Sequence, residues 1–390
     1  MFRQIQPPYT GPVLFSVGFR PLFLIASVFA ALAVPLWMLV WSGHILPSSP
    51  FSALDWHVHE MLFGYTSAVI AGFLFTAIPN WTGRMPTRGW PLMGLSALWL
   101  AGRLAVAVGI GFGPVVVLVV DSAFMAAIGA MVTIEIVAAR NWGNLKVVAP
   151  VLVYLLANIT FHLEAMLLGA ADYGRRLGFA MVVTLIVLIG GRIIPSFTRN
   201  WLVRRLPQRG ALPVPFGRFD VVSVGVTLGG LLAWVIWPVS LQTGSLLLLA
   251  GVGQGVRMLR WRGWRVWASP LVLMLHMAFA FVPAGLVALG LAALDVWPAM
   301  VGLHLLGIGG FGGMTIAVMM RASLGHTGRA LHAGPALTLA FACVAMAAVV
   351  RVAVAFSLGL WIAATLWTVG FAIFAWRFAP VLSLPNPARR

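Results

Sequence analysis

Twelve apolar runs, each long enough to cross a lipid bilayer, constrain this chain more than anything else in it. They fall at roughly 19–41, 57–79, 90–109, 114–138, 147–169, 175–197, 219–240, 242–261, 268–292, 296–320, 333–356 and 359–379. A helix rises about 1.5 Å per residue, so about 20 apolar residues span the hydrocarbon core. The runs are continuous, whereas the strands of a membrane barrel alternate over about 10 residues, so helices are expected. Only 8% of the residues are charged, against about 25% in an ordinary soluble domain. The expected fold is an all-α polytopic membrane protein, with residues 1–390 forming a single integral membrane domain. The longest connection, about 198–218, is rich in arginine and proline and reads as a surface loop.

The formal net charge of +17 would suggest nucleic acid in a soluble chain. Here the cations are sorted by loop. The loops after even-numbered runs hold Arg84 and Arg88; Arg140 and Lys146; Arg199, Arg204, Arg205, Arg209 and Arg218; Arg257, Arg260, Arg262 and Arg265; Arg321 and Arg329. The alternate loops hold only Arg175, Arg176 and Arg351. By the positive-inside rule both termini are cytoplasmic, the partner is the lipid bilayer, and no nucleic acid is expected. The single cysteine, Cys343, lies inside an apolar run. That excludes a thiolate metal cluster, an internal disulfide and a CxxCH haem attachment. The first run is too long for a signal-peptide core and has no small-residue cleavage site, so no cleaved leader is expected.

Three segments resemble one another. The second run ends Ala77-Ile78-Pro79-Asn80-Trp81-Thr82-Gly83-Arg84, the sixth ends Ile193-Ile194-Pro195-Ser196-Phe197-Thr198-Arg199, and Gly325-His326-Thr327-Gly328-Arg329 follows the tenth. Their recurrence on every fourth run suggests four-helix units at about 19–140, 147–265 and 268–380, arranged around a pseudo-threefold axis. A common inner-face loop ending accounts for the similarity equally well.

The chemistry concentrates at Trp56-His57-Val58-His59-Glu60-Met61. Ionisable groups inside a membrane are costly and mark function. Depth along each run puts His57, His59 and Glu60 at the outer boundary and His162 and Glu164 in the outer third. His304 lies two turns in, and Arg103 and Asp121 fall in the outer half. His276 and Arg192 lie nearer the cytoplasm. Neutral imidazole suits metal and haem. A shared layer therefore favours a metal or haem site as strongly as the alternative, in which each histidine is a hydrogen-bonded packing residue. With Asp55 as N-cap, His57 and His59 lie in the first turn or so, about 200° apart, and cannot face one ligand. Phe63 stands where a zinc-protease HExxH needs its second histidine, which rules that chemistry out. Arg103 has two candidate partners, a haem propionate and Asp121. Gly309-Gly310-Phe311-Gly312-Gly313 reads either as room for a flat macrocycle or as close helix packing.

The chain resembles the NnrS family over nearly its whole length. The resemblance rests on Gly18-Phe19-Arg20-Pro21-Leu22-Phe23-Leu24, Trp56 through Gly64, Ala71-Gly72-Phe73-Leu74 with Pro79 through Arg84, Gly191-Arg192-Ile193-Ile194-Pro195-Ser196-Phe197-Thr198, and Met319 through Arg329. It implies a multi-pass protein of the bacterial inner (cytoplasmic) membrane that contains haem and copper. It also implies a link to nitric oxide, in denitrification or resistance to nitrosative stress. The resemblance does not assign ligands to individual histidines; depth along the helices offers His59 or His304 as the haem b ligand, with His57 and Arg103 among the cofactor-binding residues. Copper takes His162 with His57 or His276. Nitric oxide is then the small-molecule ligand, bound or converted by a haem-dependent oxidoreductase. Electrons come from a quinol or another membrane donor, since no soluble redox domain is present. Two alternatives remain: a secondary transporter or channel using the buried His, Arg and Asp residues, and a non-catalytic nitric oxide sensor or metal-homeostasis protein.

Overall fold

The computed structural model describes residues 9–45, 48–205, 210–354 and 356–385. Arg209, one of the loop arginines above, lies outside them, as does the side chain of Lys146. The described residues form twelve long helices: α1 (Phe19–Trp41), α2 (Ala53–Thr82), α3 (Trp90–Val108), α4 (Pro114–Ala138), α5 (Val148–Leu168) and α6 (Tyr173–Arg205). They continue with α7 (Arg218–Ile236), α8 (Leu241–Arg260), α9 (Pro270–Ala293), α10 (Ala299–His326), α11 (Gly334–Ala353) and α12 (Phe356–Ser383).

Eleven of them are long and apolar enough to cross a membrane; α8 is the exception. It carries Gln254, Arg257 and Arg260, and it turns the first two inward. Gln254 donates to Thr227 Oγ1 at 2.9 Å, and the buried Arg257 guanidinium meets Asp220 at 3.0 Å. Pairing of this kind is what lets a charge stay inside. Because α8 packs along both α7 and α9, it runs through the bundle beside two spans despite its polar side chains.

Helices adjacent in sequence pack as neighbours, and α12 returns against α1 to close the bundle. α2 is the most enclosed: 72% of its apolar window is buried, against 33% for α3 and α12. Whatever α2 carries is therefore presented to the interior rather than to lipid.

Two boundaries run furthest beyond the expected ones. α6 continues to Arg205 and α10 to His326, so the arginine-rich stretch after the sixth run begins as helix. Arginine is a good helix former, and cations in the last turn complement the negative end of the helix dipole.

The pattern of apolar residues also gives no hint that α2, α6 and α10 each contain a π-helical segment: Glu60–Tyr65, Ile186–Gly190 and Leu305–Gly312. A π turn holds an extra residue and leaves backbone carbonyls without their usual partners. Neighbouring side chains supply them. Tyr154 Oη donates to Leu62 O, and Trp99 Nε1 donates to Gly64 O at 2.9 Å. Arg257 donates to Val187 O at 3.1 Å, and Thr315 Oγ1 to Phe311 O at 2.6 Å. Tyr65 Oη lies 2.5 Å from Thr315 Oγ1 and ties α2 to α10. The α10 glycines serve close packing: a methyl at Gly309 would strike Phe281, and one at Gly312 would strike Trp367.

Candidate metal centre and cofactor cavity

α2 starts earlier than its apolar run, because Ser52 rather than Asp55 caps it. Ser52 Oγ accepts from the Asp55 amide at 3.1 Å and donates to the Asp55 carboxylate at 3.0 Å. A serine at N-cap bonded to the third helical amide is a favourable start. It places His57 and His59 in regular helix just before the π segment, on opposite sides of α2. His57 stacks on Trp37, with ring centroids 4.1 Å apart and planes 25° from parallel. His59 has no exposed surface and sits among Phe51, Phe63 and Phe161.

Four helices converge on His59. Its Nε2 lies 3.1 Å from Asp121 Oδ2 of α4 and 3.0 Å from Asn158 Oδ1 of α5. His162 Nε2, one turn along α5, is 3.0 Å from the same Asp121 oxygen, to which Asn158 Nδ2 donates at 2.7 Å. Arg103 of α3 bridges Glu60 and Asp121, and His59 Nδ1 is 3.1 Å from Glu60 Oε1. Tyr154, Asn158 and His162 recur every four residues and so share one face of α5. Trp99 and Arg103 do the same on α3. The helices that supply the polar groups thus also latch the π turn.

Hydrogen-bond inventory and charge lead to one conclusion here. Both ring nitrogens of His59 face carboxylate oxygens. A neutral imidazole has only one N–H to offer. With neutral imidazoles, one guanidinium and two carboxylates leave a formal charge of −1 in a site closed to water, which is costly. A proton on the imidazole cancels it, and so does a cation taking the place of that proton. Donor atoms of His59, Asp121 and His162 all lie within 4.8 Å of one another. Two imidazoles and a carboxylate, with the Asn158 amide oxygen beside them, suit a divalent transition metal. Glu60 behind His59 Nδ1 is the outer carboxylate that commonly orients a ligating histidine.

On the other side of α2 lies a cavity of about 400 Å³, within the range of small-molecule and cofactor sites. Its walls come from α1, α2, α6, α10, α11 and α12 and are mainly apolar and aromatic, including Trp37, Phe179, Phe311 and Trp367. Four strongly polar side chains reach it: His57, His304, Arg175 and Arg351. His304 Nδ1 lies 2.7 Å from Met300 O. Since a carbonyl only accepts, that nitrogen carries the proton and Nε2 keeps a free lone pair. His57 Nδ1 and Arg351 Nε are buried without a hydrogen-bond partner.

A family model described as NnrS protein matches residues 13–386. The chain belongs to the NnrS family. No curated protein matches it.

Within this NnrS-family chain the sequence candidates separate into three groups. His59, His162 and Arg103 meet in the buried cluster, with Asp121. His57 and His304 meet at the cavity. His276 joins neither: its Nε2 lies 2.8 Å from Thr198 Oγ1, and its ring packs against Trp261. His162 stands with His59 and not with His57 or His276, and Arg103 serves the carboxylates rather than the cavity. Glu164, which the sequence puts in the same layer, caps the start of α6 by accepting from the amides of Asp172, Tyr173 and Gly174. Sequence reasoning did not single out Asn158, or Arg175 and Arg351 as cavity residues. The first is four residues before His162 and so shares its face. The other two are among the few cations at the arginine-poor end, where a charge has some reason other than orientation.

Proposed function

We propose that this protein holds haem b in the cavity and copper in the buried cluster, and that it binds or redox-converts nitric oxide at the haem. The setting is the bacterial inner membrane, with both termini cytoplasmic and both sites toward the outer face, in nitrosative stress resistance or denitrification. The observation that carries this reading is the set of unused polar atoms around the cavity: the free Nε2 of His304, the unpartnered Nδ1 of His57 and the unpartnered Nε of Arg351. Haem is flat and apolar with two carboxylates, and it takes imidazole as axial ligand. Aromatic walls, two imidazoles and two arginines match each of those needs.

His57 and His304 would hold the haem iron, and Arg175 and Arg351 would pair with its carboxylates. Trp37 fixes the plane of the His57 ring, and the Met300 carbonyl fixes the tautomer of His304. When bound, haem iron supplies a site for a diatomic ligand and a one-electron couple. The apolar walls keep water out and admit nitric oxide, itself small and apolar, through the bilayer. In the cluster, His59, His162 and Asp121 would hold copper, with Asn158 beside them. Arg103 and Glu60 hold those ligands in place, and a quinol or another membrane donor provides electrons. Three four-helix units, about 19–140, 147–265 and 268–380, are part of the same proposal. The π segments on every fourth helix support them.

The test is an absorption spectrum with haem and metal content of the purified protein. A Soret band and stoichiometric copper are expected, with the Soret band lost or shifted in His57→Ala or His304→Ala and copper retained. An unchanged Soret band in both variants sinks the haem assignment.

A further inference from the structure

The Gly191-Arg192-Ile193-Ile194-Pro195-Ser196-Phe197-Thr198-Arg199 stretch of α6 plays no part in either site. Its buried face is accounted for: Ile194, Thr198 and Leu202 pack inward, and Thr198 meets His276 of α9. Its other face is not. Leu188, Arg192, Ser196, Arg199 and Val203 are all exposed. Arg192 and Arg199 are seven residues apart, which on a helix is nearly two turns. They therefore share one face about 10 Å apart along the axis, with Ser196 between them. Arg192 lies within the membrane-crossing helix, where a lone cation is costly unless a countercharge reaches it.

That countercharge does not come from this chain. Its eight acidic residues all lie within the described part and are engaged elsewhere or placed elsewhere. Glu60 and Asp121 are in the buried cluster, and Glu164 caps α6. Asp172 pairs with Arg175 and Arg176, Glu135 with Arg84, and Asp220 with Arg257 and Arg260. Asp55 is bonded to Ser52, and Asp295 lies in the connection between α9 and α10, at the arginine-poor end. No described hydrogen bond or ion pair involves Arg192 or Arg199. For the same reason a second copy lying parallel in the bilayer has no unpaired carboxylate at that end to offer them: Asp295, whose carboxylate has no described partner, lies at the other.

We infer that this face of α6 is a binding site for an anionic phospholipid of the leaflet at the arginine-rich end. Long cationic side chains inside a helix reach toward the headgroup level. Arg192 extending down and Arg199 at the boundary converge on one phosphate, the planar guanidinium groups suiting its oxygens. Ser196 offers a hydroxyl between them, and an acyl chain lies along Leu188. Attraction of juxtamembrane cations to anionic headgroups is general. What is particular here is a pair of arginines on one face, one of them inside the span, with every carboxylate paired or at the other end of the bundle.

The experiment uses the full-length protein with its cofactors, returned to nanodiscs of phosphatidylglycerol or of phosphatidylcholine and released for native mass spectrometry. The wild type is expected to retain a phosphatidylglycerol molecule, and R192Q/R199Q to lose that retention about tenfold. R192K/R199K is expected to recover part of it. Both positions are exposed, so folding, the Soret band and metal content should be unchanged in every variant. The result thus stands apart from the fate of the haem assignment. Equal retention by R192Q/R199Q, or equal retention of phosphatidylcholine, overturns the site. Stabilisation of the wild type by inorganic phosphate alone overturns the lipid as its ligand. A dimer that R192Q/R199Q dissociates assigns the face to a second copy instead.

Discussion

The two sides of α2 are built on opposite plans. Toward α3, α4 and α5, Glu60, Arg103, Asp121, Asn158 and the two histidines bond to one another. Only Arg103 Nε there lacks a partner. Toward α1, α10 and α11, His57 and Arg351 keep unused polar atoms around about 400 Å³ of space. Buried polar groups that satisfy each other hold a fold together, whereas unpaired ones around a void are arranged for something that fills it. Side chains of the same type, two residues apart, therefore do different work.

Breaking the packed side is expected to have the largest effect. Arg103→Ala leaves two carboxylates without their shared cation, at a cost of about 3–5 kcal/mol. The measurement is the fraction of monodisperse protein recovered in detergent, together with its thermal midpoint. A stable, haem-loaded Arg103→Ala protein would erase the contrast between the two sides. Next comes His304→Ala: the fold persists while haem content falls sharply, as read by pyridine haemochrome. Asp121→Asn does the reverse, depleting the metal and sparing the Soret band, which elemental analysis and absorption check together. Arg351→Gln removes one charged contact, worth about 1.5 kcal/mol, and should weaken haem binding about tenfold in a haemin titration. Thr198→Val, under His276, should cost only about 1 kcal/mol and leave both sites loaded.

The smallest expected effect is one of pH. Partial burial pushes the Asp172 carboxyl up, but Arg176 and Arg175 outweigh it and leave the group below its ordinary range. A carboxyl lowered by folding stabilises the native state above its unfolded pKa and ceases to as pH falls through the folded value. The thermal midpoint should therefore decline slightly less below about pH 4 in Asp172→Asn, because that variant has already lost the contribution.

The number of helices could be read from the sequence because a bilayer demands about 20 apolar residues per crossing, whatever surrounds them. Even α8, with two arginines, showed as a run. That His57, His59, His162 and His304 sit at one level of the bundle could be read for the same reason, since position along the axis follows from counting along a helix. Which histidine meets which could not. That depends on the rotation of each helix about its axis, and the π segments change that rotation without altering hydropathy. Asp55 looked like the cap because aspartate favours that place; Ser52, three residues earlier, takes it and uses Asp55 as its partner. Arg351 was legible as a loop charge but not as a cavity residue, because its neighbours His57 and His304 lie far from it in sequence.

The π turn of α2 has a further consequence. His57 and His59 are joined by a single residue of helix, so a rotation of that backbone moves both. Any twist of the first turns of α2 carries the two rings in opposite directions across the helix, like the ends of a rocker. The pivot is the widened turn from Glu60 to Tyr65, gripped by Trp99 and Tyr154 from the helices that also bear Arg103, Asn158 and His162. A ligand that twists those turns at His59 would therefore also move His57, and by linkage the reverse would hold.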